Sequence, residues 1–189
     1  SGSGKTSVSK MLEKLGVHII DTDVIAHEIV EPNSDCLNEL VDYFGDSILN
    51  DDKTLNRKKL ASIAFSDKQK TEALSNITHK YIKAEVVKDI NTTDAELVGI
   101  DGAVIIGSNV EPLCEFIVSV IADKQSRITR IKTRDNITDE QAIQRINAQN
   151  DDEFYKENSM YIIYNNGDIA QLESDVVGLF NKIKGNSFE

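Results

Sequence analysis

The stretch from Gly2 to Asp23 limits the fold of this chain more than any other. Gly-Ser-Gly-Lys-Thr (2–6) leads into a segment, 6–15, in which Val8, Met11, Leu12 and Leu15 recur at helical spacing. Gly16 stands where a helix would be capped, and VHII (17–20) is short and β-branched, as a buried strand is. The glycines of such an opening let successive backbone N–H groups turn inward around phosphate oxygens, and the following helix adds the partial positive charge of its N-terminus. The full phosphate-loop pattern is GxxxxGK[ST]. Gly4, Lys5 and Thr6 supply its last three positions, while its first glycine would precede Ser1. In that pattern Gly2, Ser3 and Gly4 line the phosphates, Lys5 reaches the β- and γ-phosphates, and the Thr6 hydroxyl ligates Mg²⁺. Ser1–Gly4 would also suit a flexible linker; the helix and buried strand that follow favour the phosphate loop. The pattern carries the expectation of a native chain that starts about ten residues earlier, with a strand feeding the loop.

The rest of the chain extends an alternation of strands and helices. Residues 24–44 and 57–90 are mostly helical in pattern, with Leu37, Leu40, Val41 and Phe44 on one stripe and Leu60, Ile63 and Ala64 on another. ELVGID (96–101), EFIVSVIA (115–122) and MYIIYN (160–165) read as buried strands. Residues 124–134, 138–149 and 169–184 read as helices, the second opened by Thr138 with Glu140 and Gln141 nearby. Strands alternating with helices imply a parallel sheet covered on both faces, with 30–95 as a helical insertion.

With 21 basic residues against 32 acidic ones, the net charge of −11 argues against a broad nucleic-acid surface. A phosphate-bearing small molecule would need a local cationic pocket instead. No apolar run approaches the ~20 residues of a membrane span. Cys36 and Cys114 make no CxxC and no disulfide framework, which suits a reducing, cytoplasmic compartment.

The strand VHII runs into Asp21-Thr22-Asp23. In a parallel sheet the carboxyl ends of the strands border the ligand crevice, so both carboxylates would face a bound nucleotide. Phosphorylation of an alcohol needs a carboxylate near the acceptor hydroxyl and oxygen ligands for Mg²⁺. An N-cap for the helix that follows would account for one aspartate and not for both.

In order, GSGKT (2–6), IIDTDVIAHEIVEP (19–32), FGDSIL (44–49), Leu55, Arg57, Leu60, Phe65, His79, Arg130, Arg134-Asp135, ITDEQAIQRINAQ (137–149) and Asn165 resemble the dephospho-CoA kinase family along nearly the whole chain. The resemblance implies a P-loop NTPase-type α/β fold, with a parallel sheet flanked by helices. Its core would comprise about 1–29, 96–133 and 156–189, its helical acceptor-binding insertion about 30–95 and its lid about 134–155. It further implies transfer of the ATP γ-phosphoryl group to the ribose 3′-hydroxyl of dephospho-CoA, with Mg²⁺ and without nucleic acid or membrane. Asp23 would be the base or orienter at that hydroxyl, Asp21 a support for the metal, and Arg57, His79 and Asp101 acceptor-side residues.

The cationic pocket is present in the sequence: Arg127, Arg130 and Arg134 lie at i, i+3 and i+7, hence on one helical face. Arg134 and Arg145 fit a lid that closes over phosphates, whereas Arg127 reads better as part of a solvated basic face. One segment departs from the family, which usually carries Asp-x-Pro-Leu-Leu after this strand. Here Asp101-Gly102-Ala103-Val104-Ile105-Ile106-Gly107 keeps the aspartate and loses the proline. Asp101 could equally be a turn former before Gly102. Two rival readings share the opening motif: another P-loop small-molecule kinase, with a nucleoside, nucleotide or shikimate-like acceptor, and a non-catalytic nucleotide-binding protein.

Overall fold

A computed structural model of the chain describes residues 1–186; the end of the expected core segment, 187–189, lies outside the described residues. In chain order the elements are α1 (Lys5–Lys14), β1 (His18–Asp21), α2 (Thr22–Glu28), α3 (Asp35–Phe44), α4 (Arg57–Ala64), α5 (Lys68–Thr92), β2 (Val98–Asp101), β3 (Val118–Ile121), α6 (Lys124–Asp135), α7 (Asp139–Asn147), α8 (Asp152–Glu157), β4 (Tyr161–Tyr164) and α9 (Ile169–Asn186). Each strand expected from the β-branched runs is present as four residues: β2, β3 and β4 lie inside their runs, and β1 is shifted one residue on from 17–20, to His18–Asp21. The short helix α8 lies in a stretch where periodicity gives no helix. Asp151 caps it by accepting from Phe154 N–H at 2.9 Å, and Asp152 and Glu153 fill its first turn.

The chain divides into two compact units, with the division falling inside β1. The first comprises residues 1–19, 95–106 and the chain from Pro112 onward. Its strands pair two by two: β1 lies beside β2, with His18 N–H donating to Leu97 O at 3.0 Å, and β3 lies beside β4. The β3–β4 ladder is parallel, in register from Val118 with Tyr161 to Ile121 with Tyr164. Helix α1 packs against β2, β3 and α9. Val8 of α1, Ile163 of β4 and Leu172, Val176, Leu179 and Ile183 of α9 form one core, closed by Met11, Leu12 and Leu15. These are the α1 positions picked out by helical spacing, because one apolar stripe of that helix is buried. A second core joins α6 to α7 through Ile128, Ile131, Ala142 and Ile146. Ile131 is fully enclosed, so truncation to alanine costs about 2–5 kcal/mol.

The second unit comprises residues 20–94 and 107–111 and is helical. Helix α5 packs against α2, α3 and α4. Leu37 and Leu40 of α3, Leu60 and Ala64 of α4 and Ile77 and Val86 of α5 are all buried. Side-chain caps start the helices where the sequence offers them: Asp21 for α2, Ser34 for α3, Asn56 for α4 and Asp67 for α5.

Candidate active site

In the first unit the opening residues form a tight loop that ends at the N-terminus of α1. Gly2 (φ +77°) and Gly4 (φ +100°) both adopt left-handed backbone conformations, in which a side chain is strained. Gly4 also has no room for one, since a Cβ there would lie 2.1 Å from Asn165 Nδ2. Helix α1 carries no acidic residue in its first turn, so none of its own side chains there competes with an anion for its N-terminal N–H groups.

Three consecutive carbonyls of the loop accept hydrogen bonds from side chains more than a hundred residues away. Arg127 Nε donates to Ser1 O at 3.0 Å. Arg130 Nη1 donates to Gly2 O and Ser3 O at 3.3 and 3.4 Å. Asn165 Nδ2 donates to Ser3 O at 2.7 Å. Asn165 is itself fixed: Arg130 Nη2 reaches its carbonyl at 3.0 Å and its Oδ1 at 3.4 Å, and its own N–H donates to Ile121 O at 2.8 Å. Arg127 departs from the solvated-face expectation, because it is buried. Its guanidinium turns inward to the loop, to Gln149 Oε1 at 3.0 Å and to Asp152 at 3.6 Å. Helical spacing places an arginine on a face; the partner opposite that face is a long-range property.

Lys5 pairs with Asp101 at the end of β2, and Ser9 Oγ donates to the other oxygen of the same carboxylate at 2.8 Å. Asp101 is buried and bound to α1, so it is more than a turn former before Gly102. Thr6 is exposed in the first turn of α1.

Arg134 and Arg145 converge on one carboxylate. Arg134 Nε and Nη2 donate to Asp135 at 2.7 and 2.9 Å, a bidentate pair, and Arg145 Nη1 pairs with the same group. Hydrogen bonds from Arg134 hold the Asp135 carboxyl below the usual carboxylate range, with Arg145 adding to the effect, and the same contact raises Arg134 further.

In the second unit the two aspartates after β1 separate into different roles. Asp21 Oδ1 accepts from the N–H groups of Asp23 at 2.8 Å and Val24 at 3.2 Å and so caps α2. Asp23 stands exposed in the first turn. One turn on, at i+4 from Asp23, His27 accepts at Nδ1 from Arg57 Nη2 at 3.0 Å. A guanidinium can only donate, so the ring proton of His27 sits on Nε2. Asp23 and His27 therefore mark one face of α2, and Arg57, the first residue of α4, contacts that face at His27. His79 is half-buried on α5, and its carbonyl accepts from Asn109 Nδ2 at 2.7 Å.

The dephospho-CoA kinase family model matches residues 1–171. The chain belongs to the dephospho-CoA kinase family. A dephospho-CoA kinase of Lactobacillus johnsonii is 33% identical over 184 residues, covering 96% of this chain and 93% of that protein. The solved dephospho-CoA kinase from Campylobacter jejuni superimposes with a TM-score of 0.68 at 26% identity, over 97% of this chain and 93% of that one. A protein from Thermus thermophilus shares the fold with a TM-score of 0.82 at 23% identity, over 96% of this chain and 92% of that one. As a member of the dephospho-CoA kinase family the chain has an α/β fold with a parallel strand pair and flanking helices.

The first unit brings together Gly2, Ser3, Gly4, Lys5, Thr6 and Asp101, with Arg134 and Arg145 meeting at Asp135. The second carries Asp21, Asp23, Arg57 and His79. Sequence reasoning gave no role to the Ser9 hydroxyl, the Gln149 amide or the contact of His27 with Arg57. Only His27 had a usable signal, its i+4 spacing from Asp23.

Proposed function

We propose that this chain transfers the γ-phosphoryl group of ATP to the ribose 3′-hydroxyl of dephospho-CoA, giving coenzyme A and ADP, in the cytoplasm. The observation that supports this most is the glycine loop before Lys5 and Thr6, formed in a chain of the dephospho-CoA kinase family. Among the described residues no helix is long and apolar enough to cross a membrane.

Phosphoryl transfer is mostly positioning and charge neutralisation. The donor side falls to the first unit. Gly2, Ser3 and Gly4 offer backbone N–H groups to the phosphates, and Lys5 leaves Asp101 to follow the migrating group. Residues 134–155 act as a lid in which Arg134 and Arg145 exchange Asp135 for phosphate oxygens. When bound, Mg²⁺ would neutralise charge on the phosphates. Hard oxygen donors suit it, and it keeps several waters, so few protein ligands are needed. In the first unit the exposed Thr6 fits that demand; in the second, Asp21 caps with Oδ1, which leaves Oδ2 for a metal or its water.

The acceptor side falls to the second unit, which takes in residues 30–94 of the expected insertion. Asp23 takes the proton of the 3′-hydroxyl or orients it, a role open to an exposed carboxylate whose neighbour does the capping. Arg57 and His79 are the acceptor-side residues of that unit, and Asp101 is the acceptor-side residue of the first.

The test is ADP release with ATP, Mg²⁺ and a panel of dephospho-CoA, AMP and shikimate. Dephospho-CoA alone should support turnover. Asp23→Asn, which cannot accept a proton, should lower kcat by roughly 10²-fold or more with acceptor binding little changed. Turnover with AMP or shikimate in place of dephospho-CoA would discard the acceptor. Near-normal kcat in Asp23→Asn would remove Asp23 from the reaction.

A further inference from the structure

We propose that Arg130 and Asn165 are positioning residues that hold the opening loop in its anion-binding form before any nucleotide arrives. The proposal rests on the reading of residues 2–6 as the cradle of the ATP phosphates.

In a trans peptide the C=O and the following N–H point in opposite directions. Pinning the Gly2 carbonyl therefore turns the Ser3 N–H away from the donor, and pinning the Ser3 carbonyl does the same for the Gly4 N–H. Arg130 Nη1 lies 3.3 and 3.4 Å from those two carbonyls, and Asn165 Nδ2 lies 2.7 Å from the second. Arg127 repeats the arrangement one residue earlier, at Ser1 O. These three carbonyls thus face their side-chain donors, and the N–H groups that follow them face away. The left-handed glycines at positions 2 and 4 are what permit this without strain.

The donors are held as firmly as the loop. Asn165 is 7% exposed and sits just past β4, with its N–H bonded to Ile121 O. Arg130 Nη2 grips both its carbonyl and its Oδ1, which leaves Nδ2 aimed at Ser3. A chain that only needed tying down could use one such contact; here a fork and an amide read successive carbonyls. Moreover, all four acceptors of Arg130 are neutral oxygens, so the guanidinium is hydrogen-bonded to no carboxylate, although Asp123 lies within its electrostatic reach. Groups fixed before binding need no reorganisation when the anion arrives, and that difference appears as affinity.

The measurement is calorimetric binding of ATP, ADP and adenosine to the wild type, Asn165→Ala and Arg130→Lys, with circular dichroism to verify folding. ATP and ADP affinity should fall about 10- to 100-fold in Asn165→Ala, the usual loss when hydrogen bonds to a charged group are misaligned. Adenosine, which has no phosphate, should change by less than about twofold. Arg130→Lys keeps the charge and loses the fork, so it should lie between the two; it also carries the test if Asn165→Ala does not fold. Equal losses for ATP and adenosine would overturn the proposal, because they would mark general damage. So would wild-type ATP affinity in Arg130→Lys. A wild type that binds ATP no better than adenosine would remove the cradle itself, and the proposal with it. No acceptor takes part, so failure to phosphorylate dephospho-CoA would leave these outcomes readable.

Discussion

Substituting Gly4 by alanine combines two costs that the structure separates. At φ +100° an L side chain is strained by about 1–2 kcal/mol relative to glycine. The new methyl would also stand 2.1 Å from Asn165 Nδ2 and 3.3 Å from Asn165 Cγ, so the amide must move. Moving it breaks the bond to Ser3 O and leaves a buried amide short of a partner, for about 1–3 kcal/mol. Gly4→Ala should therefore destabilise the fold by about 2–5 kcal/mol in total. In an Asn165→Ala background the second cost is absent, and the same substitution should cost only about 1–2 kcal/mol. The double-mutant cycle, read from urea denaturation, should return a coupling of about 1–3 kcal/mol. Additive effects within about 0.5 kcal/mol would show that the methyl and the amide do not compete. That result would refute the geometry at its root.

Lys5→Ala should weaken ATP binding and nearly abolish turnover, because it removes the charge that follows the phosphoryl group; steady-state kinetics with varied ATP checks both. The depressed Asp135 carboxyl favours folding at neutral pH, and that contribution disappears as the pH falls through its lowered folded value. The stability gap between the wild type and Asp135→Asn should thus close on acidification, as read from urea midpoints at neutral pH and near pH ~3. The Cys36 thiol is pushed up to about 11, chiefly by burial and then by Glu39, so a thiol reagent should label Cys114 first and Cys36 only on unfolding.

What the sequence shows of this molecule is mostly local. The apolar stripe of α1, the capping box of Thr138 and Gln141 and the β-branched runs are written in neighbouring residues, and the structure places a helix, a cap or a strand at each. Of the aspartate pair, the sequence leaves open which one caps α2, and backbone geometry assigns that role to Asp21. Partners across the chain are another matter. The inward turn of Arg127 and the grip of Arg130 on Gly2 depend on how α6 lies beside the loop, which no spacing rule encodes. Helix α8 has a legible cap at Asp151 but too little apolar periodicity to reveal it.

The meeting of two arginines at Asp135 has a consequence in salt. A guanidinium already neutralised by a carboxylate gathers few anions from solution, so Asp135 serves as a counterion carried by the chain. When phosphate displaces it, one internal partner is exchanged for another and little electrolyte is released. The attraction between nucleotide and lid should therefore weaken with ionic strength less steeply than two unpaired arginines would make it. With one carboxylate against two guanidinium groups, the pairing halves the charge that the ligand-free lid offers to stray polyanions, and its full charge is met only by a ligand placed well enough to draw both arginines away.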